Sequence, residues 1–190
     1  MGLIGCKAFR PGLVCQPRGP ETRFQYVPGL NICKEANAVK NGFHYAENPL
    51  DCLTYYSWNG SNEFWLVEGG GDLDEDGHDS KVTCTELRLI RRLSLRGFLV
   101  QAVLYILEHP TRKLHDRVRR EEGVADNGWV MVAGAAPIAA GKKKGDLMVL
   151  LQLQGGELMD YRIFTVDDVK FMPGVFYGMD GEPRKRGEGA

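Results

Sequence analysis

The chain has 190 residues, is 43% hydrophobic and carries a formal net charge of −1. That length suits one good-sized domain, or a domain with a small appendage, and the composition is that of a globular protein rather than a disordered or fibrous one. The near-neutral balance gives no global pull toward nucleic acid or acidic membranes.

The first residues, "MGLIGCKAFRPG", have a short apolar run without a basic leader, interrupted by Pro11 and Gly12. They are not expected to be a signal peptide. No apolar run approaches the ~20 residues of a spanning helix, so the expectation is a cytoplasmic protein with no membrane partner. The five cysteines, Cys6, Cys15, Cys33, Cys52 and Cys84, contain no CxxC pair. Zinc ligands usually come in close pairs, so small buried thiols are expected rather than a metal site or a disulfide framework.

"LIGCKAF" (3–9) reads as a first strand ended by the turn "RPG". "RFQYVPG" (23–29) alternates apolar and polar and stops at Pro28-Gly29, a second strand and turn. "KNG" (40–42) signals a tight turn before the extended segment "GFHYA". "NPLDCLTYYS" (48–57) predicts a helix: Asn48 caps it, Pro49 suits the first turn, and Asp51 favours its dipole. "NEFWLVEGGG" (62–71) predicts a strand ended by glycines, followed by the acidic turn "DLDEDGHDS". That turn places Asp72, Asp74, Asp76 and Gly77 as a calcium loop would. Its twelfth position is Thr83 instead of a bidentate Glu, and a strand precedes it, so a solvated loop is expected.

"KVTCTELRLIRRLSL" (81–95) predicts a strand with Leu87 and Leu89 facing opposite to Val82, Cys84, Glu86, Arg88 and Ile90. "LRGFLVQAVLYILEH" (95–109) predicts a helix whose buried stripe includes Phe98, Ala102, Tyr105 and Ile106. "TRKLHDRVRREEG" predicts a resumed, solvated helix ending at Gly123. From 124 the chain turns β-rich, with a hairpin through "QGGE", a short strand pair around a D-G turn, and a flexible basic tail. The expected fold class is α+β. A mixed or antiparallel N-terminal sheet (1–95) is followed by a helical segment (96–123) and a small β-rich C-terminal part (124–190).

Three basic clusters stand out: Arg88, Arg91, Arg92 and Arg96; Arg112, Lys113, Arg117, Arg119 and Arg120; and Lys142 to Lys144. No nucleic-acid motif frames them and acidic residues offset them, so a solvated face outweighs a nucleic-acid site. The segment 40–72 is the denser candidate. His44 and Tyr55 could clamp a planar ring between them. Against that, Phe43, Tyr45, Leu50 and Tyr56 could simply be core, with His44 half exposed.

Two resemblances are carried by these residues. "KAFRPGLVC", "GFHYAENPLDCLTYY", "DSKVTCTELRLIRRLSL" and "AAGKKKGDLMVLLQL…VKFMPGVFYGMDG" together resemble an uncharacterised family of small phage and prophage proteins. That family has the pattern C-K-x-G-F-H-x-C-E-x-P-L-D-V-x-x-Y-Y; Ala46 stands here in place of its second Cys. Residues 1–95 also resemble the ADP-ribosyltransferase fold of poly(ADP-ribose) polymerases. "GFHYA" is similar to that family's G-I-Y-F-A, with His44 at the tyrosine position and Tyr55 eleven residues on. "FWLVEGGGD" resembles its next strand, Glu86 falls near its catalytic Glu, and Lys7 lies where its first strand contacts the NAD ribose.

The second resemblance implies NAD as cofactor. His44 and Tyr55 would hold nicotinamide, and Glu86 would hydrogen-bond a ribose hydroxyl and stabilise an oxocarbenium-like transition state. Three functions are therefore expected in parallel. One is an NAD-binding, ADP-ribosyltransferase-like protein acting on a host macromolecule. The second is a non-enzymatic binder of a host bacterial protein, such as an inhibitor of a defence system. The third is a virion accessory protein. Oligomeric state is not legible from the sequence.

Overall fold

The computed structural model describes residues 2–15, 24–34, 42–75 and 80–187. The chain divides into two compact units, Met1–Tyr105 and Ile106–Ala190. Strand predominates over helix in both.

The first unit runs β1 (Leu3–Phe9), β2 (Val14–Cys15), β3 (Phe24–Gln25), β4 (Gly29–Ile32) and β5 (Phe43–Ala46). A 3-10 turn (Pro49–Asp51) then leads into α1 (Cys52–Tyr55), followed by β6 (Glu63–Glu75), β7 (Lys81–Arg92) and α2 (Leu95–Glu108). Asn48 caps the turn as expected, its side-chain oxygen accepting from Leu50 N at 3.1 Å. The short helix that follows ends at Tyr55 rather than Ser57.

The sheet closes on itself. β1 pairs with β6, β6 with β7, β7 with β5, and β5 back onto β1 through Cys6 and Ala46, all antiparallel. β4 adds to β7 beyond β5, from Gly29↔Leu89 to Ile32↔Glu86. Closure gives these strands an inside and an outside. One cross-strand row, Gly5–Val67–Leu89–Gly29, brings buried Val67 and Leu89 to the interior. The neighbouring row, Ile4–Glu68–Arg88–Leu30, faces out. Phe9, Leu13, Tyr26, Phe43, Tyr45, Val82, Cys84 and Leu87 complete the interior cluster.

Val82 and Cys84 thus share the core with Leu87 and Leu89, where strict alternation sets them on opposite faces. The ladder between β6 and β7 is irregular at the same place: Gly70 pairs with Glu86 but Leu73 pairs with Cys84, one extra residue on β6. Gly71, at φ +71°, makes that bend. β6 also continues to Glu75, so Asp72 and Asp74 lie on a strand and not in the expected acidic loop. Asp76, Gly77, Lys40 and Asn41 lie outside the described residues, and with them the rest of the calcium-loop pattern and most of the "KNG" turn.

A second layer forms outside the barrel. Trp58 stacks on Phe64 (4.4 Å), and both meet Phe98 of α2 at 5.2 and 5.0 Å. Phe98 and Ala102 are fully buried, as the predicted stripe requires. Cys52 of α1 donates its thiol to the carbonyl of Cys6 at 3.3 Å. Ser80 binds the Asp51 carboxylate at 2.5 Å, tying the start of β7 to the 3-10 turn.

The second unit holds β8 (Arg119–Val124), β9 (Trp129–Ala140), β10 (Leu147–Gln154), β11 (Glu157–Thr165), β12 (Phe176–Tyr177) and β13 (Pro183–Arg184). β9 is parallel to both β8 and β10. The QGGE hairpin joins β10 to β11 through Gly155 and Gly156, both at positive φ. Two expectations change here. Residues 119–124 form a strand, not the end of a helix: the segment has no apolar stripe to bury, and pairing with β9 satisfies its backbone instead. The basic tail is also tied down as far as residue 187, with Arg184 bonded to Asp180 and Arg186 to Glu122. Buried Asp146 accepts from the backbone of Lys142 (2.8 Å) and Lys143 (3.1 Å), which shapes the lysine turn.

Tyr45 crosses the barrel between two glycines. A Cβ built on Gly5 would lie 2.6 Å from the Tyr45 ring, and one on Gly69 2.6 Å from its Cζ. Gly69→Ala is therefore expected to destabilise the first unit by about 1–3 kcal/mol through overpacking, read as a lower urea midpoint. A midpoint equal to wild type would show that the ring can yield.

Burial pushes the Cys52 thiol up to about 12 and the Cys84 thiol up to about 11. Such a raised native pKa means the folded thiol keeps a proton that the unfolded chain has lost. Stability is whole below the ordinary thiol pKa of about 8.5 and declines as pH rises toward the native values, by up to about 1.4 kcal/mol per pH unit for a fully buried thiol. Urea unfolding between pH 8 and 10.5 should show this decline, with a shallower slope in Cys52→Ala. An equal slope in that variant would assign the decline to other groups.

Candidate functional site

Lys7 follows from strand alternation: Gly5, Lys7 and Phe9 share one side of β1, and Lys7 is buried with Phe9. Its ammonium donates to the carbonyl of His44 on β5. It also lies 5.1 Å from the Tyr26 ring centroid and 5.6 Å from that of Phe9, in cation–π range. Among the described residues, no carboxylate pairs with it. Burial by itself would lower its pKa; Tyr26, Cys15 and Tyr56 around it more than offset this, and the pKa lies above the ordinary lysine value. Burial pushes the Tyr26 hydroxyl up to about 12, against the opposing field of Lys7.

The rings enclosing this lysine form a connected set. Tyr26 meets Phe9 edge-on at 5.0 Å, Phe24 at 4.6 Å and Phe43 at 5.3 Å. Cys15, half-buried, packs against the same cluster and receives a hydrogen bond from the Tyr56 hydroxyl at 3.7 Å.

Lys7 and His44 are therefore neighbours, joined through the His44 backbone. Tyr55 ends α1 with its side chain 60% exposed. Glu86 is exposed on the outer face of β7, opposite Ile32 on one side and Gly70 on the other. Among the described residues no hydrogen bond, ion pair or ring contact joins Tyr55 or Glu86 to Lys7 or His44. Tyr26 and Cys15 are the participants that motif reading missed. The alternation in "RFQYVPG" was the available signal, since it sets Phe24 and Tyr26 on one side.

A separate open cleft of about 370 Å³ is lined by Trp58, Gly60, Asn62, Arg92, Leu93 and Ser94. Arg92 there faces Glu63 at 3.7 Å, and Glu63 also accepts from Gly12 N and Trp65 Nε1. The basic clusters are interleaved with acids in the same way. Arg88 pairs with Glu68, Lys113 with Asp116, Lys142 with Asp126 and Lys144 with Asp168. Such pairs are exposed and individually weak. No helix among the described residues is long and apolar enough to cross a membrane.

No curated protein and no solved structure matches the chain. Residues 3–101, which hold the closed barrel, Lys7, His44, Tyr55 and Glu86, match a family described as a domain of unknown function, DUF7666. With half of its length covered by that match, the chain belongs to the DUF7666 family.

Proposed function

We propose that the first unit is a non-enzymatic protein-binding module, of phage or prophage type, that docks on a host bacterial protein through the outer face of β1, β6, β7 and β4. The observation that carries this reading is the row Ile4–Glu68–Arg88–Leu30 with Ile32 and Ile90 beside it. Ile4 is 51% exposed and Ile32 64%. Aliphatic side chains held outward on paired strands, around a Glu68–Arg88 ion pair and Glu86, suit a partner surface of mixed apolar and charged character. The motif resemblance supports the phage or prophage setting. Lys7, by contrast, is engaged inside the barrel, which leaves this outer face as the larger unassigned feature.

Affinity capture from a bacterial lysate tests the reading. Wild type is expected to enrich a partner, and Ile32→Glu/Ile90→Glu to lose at least about tenfold of it, the effect of 1.4 kcal/mol at an interface. Circular dichroism should be unchanged in that variant. Equal recovery by both proteins, or no enriched protein with either, overturns the reading.

A second reading, an ADP-ribosyltransferase-like protein that binds NAD, is favoured by the adjacency of Lys7 and His44. In it Tyr55 would close on the nicotinamide, and Glu86 would hold the ribose and stabilise the developing positive charge. Titration calorimetry with NAD is then expected to give heat that falls in His44→Ala and Glu86→Gln. No heat and no thermal shift at millimolar NAD would end it. A virion accessory role is the third possibility and would be read from the protein's presence in purified particles.

A further inference from the structure

We propose that Asp160 and Arg162 close the free edge of β11 and so keep the second unit from pairing, strand to strand, with a second copy of the chain. Among the described residues, the sheet of that unit is bounded by β8, β11 and β13. An edge strand offers a row of unpaired backbone groups to which another chain can add. β13 is two residues long and holds Pro183. β8 carries Arg119, Arg120, Glu121 and Glu122, and its register shifts after Arg120. Both are poor templates for a further strand. β11 is nine residues long and, among the described residues, pairs with β10 alone. Its register is regular from Asp160 to Thr165, and its Met159 and Tyr161 are exposed.

The middle of this strand is occupied by its own side chains. The Tyr161 N–H donates to Asp160 Oδ1 at 2.7 Å, and the Tyr161 carbonyl accepts from Arg162 Nη1 at 2.9 Å. The same Arg162 nitrogen donates to the same Asp160 oxygen at 2.6 Å, which closes a ring of three contacts. Backbone groups bonded in this way are not part of the ladder to β10. Tyr161 thus turns its N–H and C=O outward, and by the period of two so do Ile163 and Thr165. Exposed ion pairs are individually weak, but this one also holds both outward groups of Tyr161. A joining strand has to break those two bonds before it can form its own.

The occupant excluded is a second copy, because the edge is self-complementary. Antiparallel pairing centred on Tyr161 sets Asp160 opposite Arg162 of the other copy and Met159 opposite Ile163. Opposite charges and apolar side chains would then meet across the join. In the folded chain the two charged residues turn onto their own backbone instead.

Sedimentation equilibrium of the full chain tests this. Asp160→Ala/Arg162→Ala is expected to self-associate at least about tenfold more tightly than wild type. Adding Tyr161→Pro removes an outward N–H at no cost in bonds to β10, and is expected to return association to the wild-type level. Amide exchange followed by NMR reads the same edge in dilute protein. The wild-type Tyr161 amide is expected to exchange at least about tenfold more slowly than that of Ile163, and in the double variant to match it. A merely structural loss would speed the amides of β10 as well. If the proline variant does not fold, the concentrated double variant decides, since Tyr161 regains protection there when β11 is the joint. Association equal to wild type in the double variant, association that persists with Tyr161→Pro, or a wild-type Tyr161 amide as fast as that of Ile163 overturns the proposal.

Discussion

The first unit depends on closure of a small sheet around one tyrosine. β5 meets β1 at a single registered pair, Cys6 and Ala46, and this contact turns an open meander into a barrel. The Tyr45 ring lies across the interior at that seam, which is possible because Gly5 and Gly69 present no side chain to it. The bulge in β6 supplies the coiling that so short a circuit of strands requires. Every later feature follows from having an inside. Lys7 is enclosed because it shares one side of β1 with Gly5 and Phe9, and Glu86 is outside because it alternates with buried Leu87 and Leu89 on β7.

Closure also explains why the lysine is unusual. In an open sheet its ammonium would reach water along the edge. In the barrel it meets two aromatic faces, one carbonyl and a group of weak acids. The energetic cost of such burial is recovered only in part by cation–π contact and one hydrogen bond. This makes Lys7 more than a packing residue. It also bears on NAD binding: a lysine that donates to the His44 backbone is tied inward, so a ribose would compete with an existing bond.

The outside of the barrel has a different logic. Its charges are paired across strands, Arg88 with Glu68 and Arg92 with Glu63, and its apolar residues stand between those pairs. The second unit repeats the pattern of tying basic residues to acids, and buried Asp146 does so for the backbone of its lysine turn. It has its own core around Val130, Val132, Met148, Leu150 and Tyr177.

Most local elements were legible in the sequence because each rests on local physics. The Asn48-Pro49 cap, the Gly155-Gly156 turn and the stripe of α2 are set by residues close in the chain. The burial of Phe43, Tyr45 and Leu50 was legible for the same reason. Where local signals were weak, tertiary pairing decided. Residues 119–124 carry charge without an apolar stripe, and the small residues of β9 drew them into a sheet. The acidic run at 72–75 read as a turn, and the long β7 partner held it as strand. The site divided along the same line. The sequence offered Lys7, His44, Tyr55 and Glu86 as candidate residues of their segments. Only closure of the barrel decided that Lys7 faces inward beside His44, Tyr26 and Cys15 while Tyr55 and Glu86 face solvent. Inside and outside are properties of the closed sheet, and no single strand carries them.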